Sequence, residues 1–189
     1  EISACLVGSE MCIRDRITTV LSDYMRYIFQ DSKKQRNVEE ELEHIEAYIR
    51  IQKLRYGEEA FSFEATMDGD IGEWKVPSLL LQTLVENSVV HGVSLDRKSE
   101  ISLYLTNETY EDGEYLYICI SDTGNGFRKE ALDAIEHDTP IIYHGRHHVG
   151  ISNIKRRLAL MYGERASITC SNMDENYGAV VEVRLPKTE

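Results

Sequence analysis

The chain has 189 residues, 42% of them apolar, and a formal net charge of -12 from 33 acidic against 21 basic side chains. That length buries one full core plus an appendage, so one main domain is expected, and an acidic balance without a basic block argues against nucleic-acid binding. No stretch approaches the ~20 apolar residues that cross a bilayer, and none of the cysteines has zinc-ligand or secreted-framework spacing; Cys119 and Cys170 read as inward, reduced thiols of a cytosolic core.

Residues 1–16 stand apart. The run from Ser3 to Arg16 resembles the translated read-through of a transposase adapter used in sequencing libraries, and 1–16 is expected to be a non-native segment in which Cys5 and Cys12 have no role. A genuine N-terminal helix or loop is the alternative. On the first reading the natural protein continues upstream of Ile17.

From Ile17 the spacing is helical, with Ile17, Val20, Leu21, Tyr24 and Ile28 on one stripe. A polar break at 31–37 precedes a second helix. There Asn37 is expected to cap, with Glu40 completing a capping box and Glu39, Glu40 and Glu41 suiting the positive helix start. Val38, Leu42, Ile45, Ile49 and Leu54 or Tyr56 form its seam, which Gly57 ends. Two such helices make half of a dimeric four-helix bundle, so 17–57 reads as the remnant of a dimerisation region; a helix pair packed on its own domain is the other reading.

Residues 58–189 carry a different pattern, that of an α/β domain. Strands are expected at 60–67, 101–105, 115–122, 166–170 and 180–185, and helices at 77–91, 129–136 and 150–162. The short link between Leu105 and Tyr115 requires antiparallel pairing, so the sheet is mixed with helices on one face, a two-layer α/β sandwich.

Three segments on that scaffold carry chemistry. Period two along 115–122 puts Asp122 on the buried side with Leu116, Ile118 and Ile120. A carboxylate there is costly unless something donates to it, and an adenine amine is such a donor. Gly124 and Gly126 then let the backbone pass close beneath a base. On the preceding helix Asn87 borders the apolar arc and offers a neutral oxygen to Mg²⁺, with His91 one turn on along the same face. Third, Gly150-Ile151-Ser152-Asn153 opens a helix whose free amides attract phosphate, and 127–149 suits a lid. Taken singly, each has a plain alternative: an Asp-Gly turn, a solvated Asn with a His-Gly helix end, and lid histidines at 144, 147 and 148 without metal.

Together and in this order, the segments resemble the ATP-binding boxes of the GHKL superfamily. The wording of 38–48, followed by Ile51-Gln52-Lys53-Leu54-Arg55-Tyr56-Gly57, is similar to sensor histidine kinases of the LytS and YesM type. The resemblance implies that Asp122 contacts adenine, that Asn87 helps hold Mg²⁺, and that Gly124, Gly126 and Gly150 shape the pocket and lid. His91 and Asn153 would border the nucleotide, Gly178 looks like the remaining glycine box, and Glu86 is a candidate base or supporting group. Val90 stands where relatives carry a phosphate-reaching lysine, His148 replaces the first glycine of the lid pair, and Ala179 and Val180 replace small hydroxyl residues.

The implied reaction transfers the γ-phosphoryl of ATP to a histidine and then to an aspartate of a response-regulator receiver domain. The family's Asn-Pro-His-Phe-type acceptor segment is not in this sequence, and His44 does not match it, so this chain is not expected to phosphorylate itself. The resemblance further implies a homodimer through the N-terminal helices and a cytoplasmic domain whose full-length protein is anchored in the membrane by an upstream region. Thr83 occupies the position of the activating glutamate of hydrolytic relatives, which favours a kinase over a gyrase-like ATPase. An anti-sigma-like serine kinase and a non-catalytic dimerisation module are the other readings.

Overall fold

The computed structural model describes residues 35–94, 96–137, 139, 142–143, 146–147, 150–174 and 177–188. The helix expected from Ile17, the segment 1–16, His144 and His148 lie outside them.

The helix α1, Val38–Tyr56, starts behind the short strand β1, Gln35–Asn37. Its acidic first turn is present, but the expected capping box is not. Asn37 makes no side-chain cap and instead donates its Nδ2 to Glu73 Oε2 at 2.8 Å. The free amides of Val38 and Glu39 are taken by the carbonyls of Trp74 (2.9 Å) and Gly72 (3.2 Å). Backbone acceptors from a loop distant in sequence therefore do the work that capping side chains do elsewhere. Gly57 ends the helix as expected, its N–H bonding Lys53 O at 2.9 Å.

The main sheet holds β2 (Phe61–Asp68), β4 (Ser99–Tyr110), β5 (Gly113–Asp122), β8 (Ser167–Asp174) and β9 (Tyr177–Pro186), in the order β2-β4-β5-β9-β8. β2 pairs parallel to β4, and every other pairing is antiparallel. This is the mixed sheet the sequence implied. A second small sheet joins β1 to β3, Lys75–Pro77, and a third joins β6 (Ile142–Tyr143) to β7 (Arg146–His147). The helix α2, Leu80–Gly92, begins three residues later than the spacing predicts, because Pro77 belongs to β3 and Leu79 is left-handed at φ 62°. The helices α3 (Lys129–Glu136) and α4 (Gly150–Tyr162) have their expected limits.

The core lies between the helices and one sheet face. Leu116, Ile118 and Ile120 of β5, Leu103 and Leu105 of β4, and Val183 and Leu185 of β9 meet Leu80, Leu81, Leu84 and Val85 of α2 and Ile154 and Leu158 of α4. The α1 stripe enters the same cluster through Val38, Ile45, Tyr48 and Ile49, and α1 packs on α2. The seam read as facing a dimer partner is thus largely occupied by this chain's own helices and sheet, and the division drawn at Gly57 does not separate two cores.

Cys119 corrects another expectation. It alternates with the buried Ile118 and Ile120 and so lies on the open face, half-buried beside Tyr117 and Glu182. Tyr117 donates its hydroxyl to Glu182 Oε1 at 2.5 Å and stacks under Arg184 at 4.9 Å. Cys170 does pack against the core, and burial pushes its thiol up to about 12.

Candidate functional site

Asp122 ends β5 with 3% of its surface exposed. The β4–β5 ladder runs one step past it, since Thr123 N bonds Glu100 O at 3.0 Å while Thr123 Oγ1 accepts from Glu100 N at 2.9 Å. That clasp fixes where the following turn leaves the sheet. The Asp122 carboxylate is fed from three sides: Oδ1 accepts the Gly124 N–H at 2.9 Å, and the Ser88 hydroxyl and the Ala179 N–H also donate to it. Burial pushes its pKa above the ordinary carboxylate value, and these donors together with the nearby His91 charge pull against that push.

Around this carboxylate the backbones are too close for side chains. A Cβ on Gly124 would lie 2.4 Å from Gly92 Cα, and one on Gly92 would lie 2.6 Å from Asp122 Cγ. The end of α2 and the glycine turn therefore meet backbone to backbone over Asp122. Gly178 sits at φ 65° at the start of β9 and donates its N–H to Gly124 O at 3.0 Å, tying the β8–β9 hairpin to the same turn. Gly126 abuts Asn172 of β8, whose amide brackets Phe127: Oδ1 accepts Phe127 N–H at 2.6 Å and Nδ2 donates to Phe127 O at 2.9 Å.

Asn87 lies on α2 against the start of α4, where a Cβ on Gly150 would stand 2.8 Å from Asn87 Oδ1. Its Nδ2 is buried and has no hydrogen-bond partner among the described residues. An unsatisfied amide end costs stability unless a ligand answers it, and either end of the amide, depending on its orientation, suits a phosphate oxygen or a hard cation. His91 is exposed one turn on, at the end of α2. Glu86 is half-buried and accepts from Gln82 Nε2 at 2.7 Å. Asn153 is exposed in the first turn of α4.

The structure thus brings Asp122, Gly124, Gly126 and Gly178 into one knot and sets Asn87 with Gly150 one helix turn away from it; Glu86 neighbours Asn87 on α2, and Asn153 follows Gly150 in the first turn of α4. Three residues of the knot escape sequence reading. Gly92 reads as an ordinary helix end and Ser88 is a small residue without a motif around it, although small residues at 88 and 92, one turn apart, mark the stripe of α2 that faces Asp122. Asn172 gave no signal beyond a polar residue in a strand.

A two-layer sandwich whose α2 asparagine and strand-end aspartate face a glycine turn and a helix start defines a nucleotide-binding domain of the GHKL class. Residues 76–189 match the family "Histidine kinase-, DNA gyrase B-, and HSP90-like ATPase" and residues 7–60 match "Histidine kinase". The chain belongs to this ATPase family, and its relatives are sensor histidine kinases of the LytS type. It is 32% identical over 149 residues to the sensor histidine kinase YpdA of Escherichia coli (strain K12), covering 76% of this chain and 24% of that protein. With the sensor protein LytS of Streptococcus agalactiae serotype V it shares 29% identity over 170 residues, 88% of this chain and 27% of that protein. The chain therefore spans about a quarter of the length of these relatives. Among solved structures, the nucleotide-free catalytic domain of histidine kinase ThkA superimposes with a TM-score of 0.62 at 16% identity, over 82% of this chain and 97% of that one. ThkA in complex with response regulator protein TrrA gives 0.54 at 14% identity, over 97% and 50%. At such identities the likeness concerns the fold.

Proposed function

We propose that this chain is the ATP-binding catalytic part of a sensor histidine kinase, acting with Mg²⁺ to move the γ-phosphoryl of ATP to a histidine, from which it passes to a response-regulator aspartate. The observation that carries this reading is the knot of Asp122, Gly92 and Gly124 set one turn from Asn87, whose Nδ2 has no hydrogen-bond partner among the described residues. Asp122 accepts from the adenine amine. The glycine backbones leave a flat wall beneath the base, and Gly126 and Gly178 hold that wall in place. Asn87 faces the phosphates, beside the α4 amides from Gly150 to Asn153, while His91 lines the rim. Mg²⁺, when bound, neutralises charge on the transferring phosphoryl group. Glu86 supports the site from the α2 flank through Gln82.

Thr83 argues for transfer to a protein rather than to water. Its hydroxyl donates to Leu79 O at 2.6 Å at the start of α2, and a threonine offers no carboxylate at that position to activate a water. The ThkA–TrrA complex, in a protein of the same fold, supports a receiver domain as partner. A homodimer through the N-terminal helices and a membrane anchor in an upstream region complete the proposal; no helix among the described residues is long and apolar enough to cross a membrane.

Calorimetry with ADP and Mg-ATP tests the reading. The parent chain should bind both. Asp122→Asn, which turns an acceptor into a partial donor, should lose about tenfold or more in affinity for either nucleotide, and Asn87→Ala should lose the Mg²⁺-dependent part alone. Equal affinities of parent and Asp122→Asn would remove adenine from the site.

A further inference from the structure

Glu41 is an acidic side chain with 0% exposure, deep beneath the first turns of α1. Burying a carboxylate is expensive unless it answers a donor, and its Oε1 accepts the Leu79 N–H at 2.8 Å. Leu79 is the one non-glycine residue with positive φ among the described residues, at 62°, a conformation that a β-carbon disfavours. Its carbonyl is held as well, by Thr83 N at 3.0 Å and Thr83 Oγ1 at 2.6 Å. Next to it, Ser78 O accepts an N–H from Arg157 Nη1 of α4 at 2.8 Å.

These bonds place three helices at one joint. Besides their shared core contacts, α2 and α4 are joined near both ends of the pair, by Ser78 against Arg157 where α2 begins and by Asn87 against Gly150 where α4 begins. α1 reaches the first point through Glu41. A change in how α2 starts is carried along a rigid helix to Asn87, two turns on, because a helix translates and rotates as a unit.

Resting on the reading that Asn87 serves the phosphates, we propose that Glu41 is a positioning residue: by holding Leu79 left-handed it sets the start of α2, and with it the placement of the Asn87 amide against the start of α4. The Leu79 N–H bond to the Glu41 carboxyl offsets the backbone strain at Leu79. α1 thereby gains a direct hold on the phosphate end of the site, whereas the Asp122 end, to which α2 contributes Ser88 and Gly92, is held in addition by the Gly124 and Ala179 N–H groups and by the pairing of β5 with β9.

The two ends can be read separately. Affinity for ADP without metal reports Asp122, and the extra affinity for Mg-ATP reports Asn87. Glu41→Ala should lower Mg-ATP affinity about tenfold, the size expected for one buried hydrogen bond, and lower metal-free ADP affinity by a clearly smaller factor, because the Gly124 and Ala179 N–H groups still hold Asp122. Amide exchange at Leu79 and Thr83 in the nucleotide-free protein should speed up in the same variant. Adding Leu79→Gly, which holds the left-handed conformation without help, should restore the Mg-ATP to ADP ratio and the exchange protection. Because Glu41→Ala alone risks not folding, the double variant decides: folding with the parent ratio supports the joint, whereas failure to fold, or folding with the ratio still low, overturns it. A Glu41→Ala chain that folds with both affinities unchanged, or with both lowered in parallel, overturns it too. A parent chain that binds neither nucleotide would instead sink the functional reading.

Discussion

At the scale of single residues, burial shifts the titration of two groups, His44 and Asp122, with opposite consequences for stability. His44 sits on the inner side of α1 with 5% exposure, and burial together with the Arg36 charge lowers its pKa from 6.5 to about 4. Between those values the unfolded chain binds a proton that the folded chain refuses, so stability should fall as pH drops from 6.5 towards 4. Asp122 acts with the opposite sign: its raised pKa lets the folded chain take a proton first, which favours folding on acidification. Comparing a chain with its own His44→Phe variant cancels the Asp122 contribution. Urea midpoints measured across this window should fall less steeply with acid in the variant, and identical slopes would mean that His44 titrates normally. The same burial makes His44 a poor phosphoryl acceptor, and labelling with radioactive ATP should leave it unmodified. Asp122 was legible beforehand because alternation along β5 needs only local spacing. The fate of His44 was not, since nothing in α1 alone says which face the rest of the chain covers.

At the scale of elements, what the sequence revealed is what local physics determines. The limits of α3 and α4 follow from periodicity, and the β4–β5 hairpin follows from link length. β1 and β3 stayed hidden because each has three residues and gains its pairing from a segment some forty positions away. The capping of α1 was misread for the same reason, its partners being carbonyls at 72 and 74. Cys119 was misplaced by one step of parity, which in a strand exchanges the faces. Gly92 against Gly124 is another pairing of distant segments, and it yields a sharp expectation. Gly124→Ala places a Cβ 2.4 Å from a backbone carbon that cannot move without shifting α2, so stability should drop by about 1–3 kcal/mol and nucleotide affinity should drop with it. Gly163→Ala is the control: at φ +62° with nothing within 4 Å of the added carbon, it should cost only the backbone strain, about 1–2 kcal/mol, and leave calorimetric affinity unchanged. A Gly124→Ala chain with parent affinity would show that the turn is not held against α2.

At the scale of the molecule, the question is where the folding unit ends. The pattern change at Gly57 suggests a boundary there, and the two family matches, 7–60 and 76–189, leave their gap close to it. The packing runs across it instead. Val38 and Ile45 are fully buried and Tyr48 and Ile49 nearly so, all in the cluster that contains Leu80, Leu84 and Ile118. At about 1.5–3 kcal/mol for each large apolar side chain, removing α1 exposes partners on α2 whose burial is worth on the order of 5–10 kcal/mol, comparable with the ~5–15 kcal/mol net stability of a typical domain. It also strands the Leu79 N–H and frees the left-handed turn before α2. A chain of residues 58–189 should therefore show no cooperative thermal transition by circular dichroism, while one of residues 35–189 should melt cooperatively and bind ADP. If residues 58–189 melted at the parent temperature with parent affinity for ADP, α1 would be an appendage to the nucleotide-binding domain rather than part of its core, and the hold of Glu41 on the start of α2 would lose its structural basis.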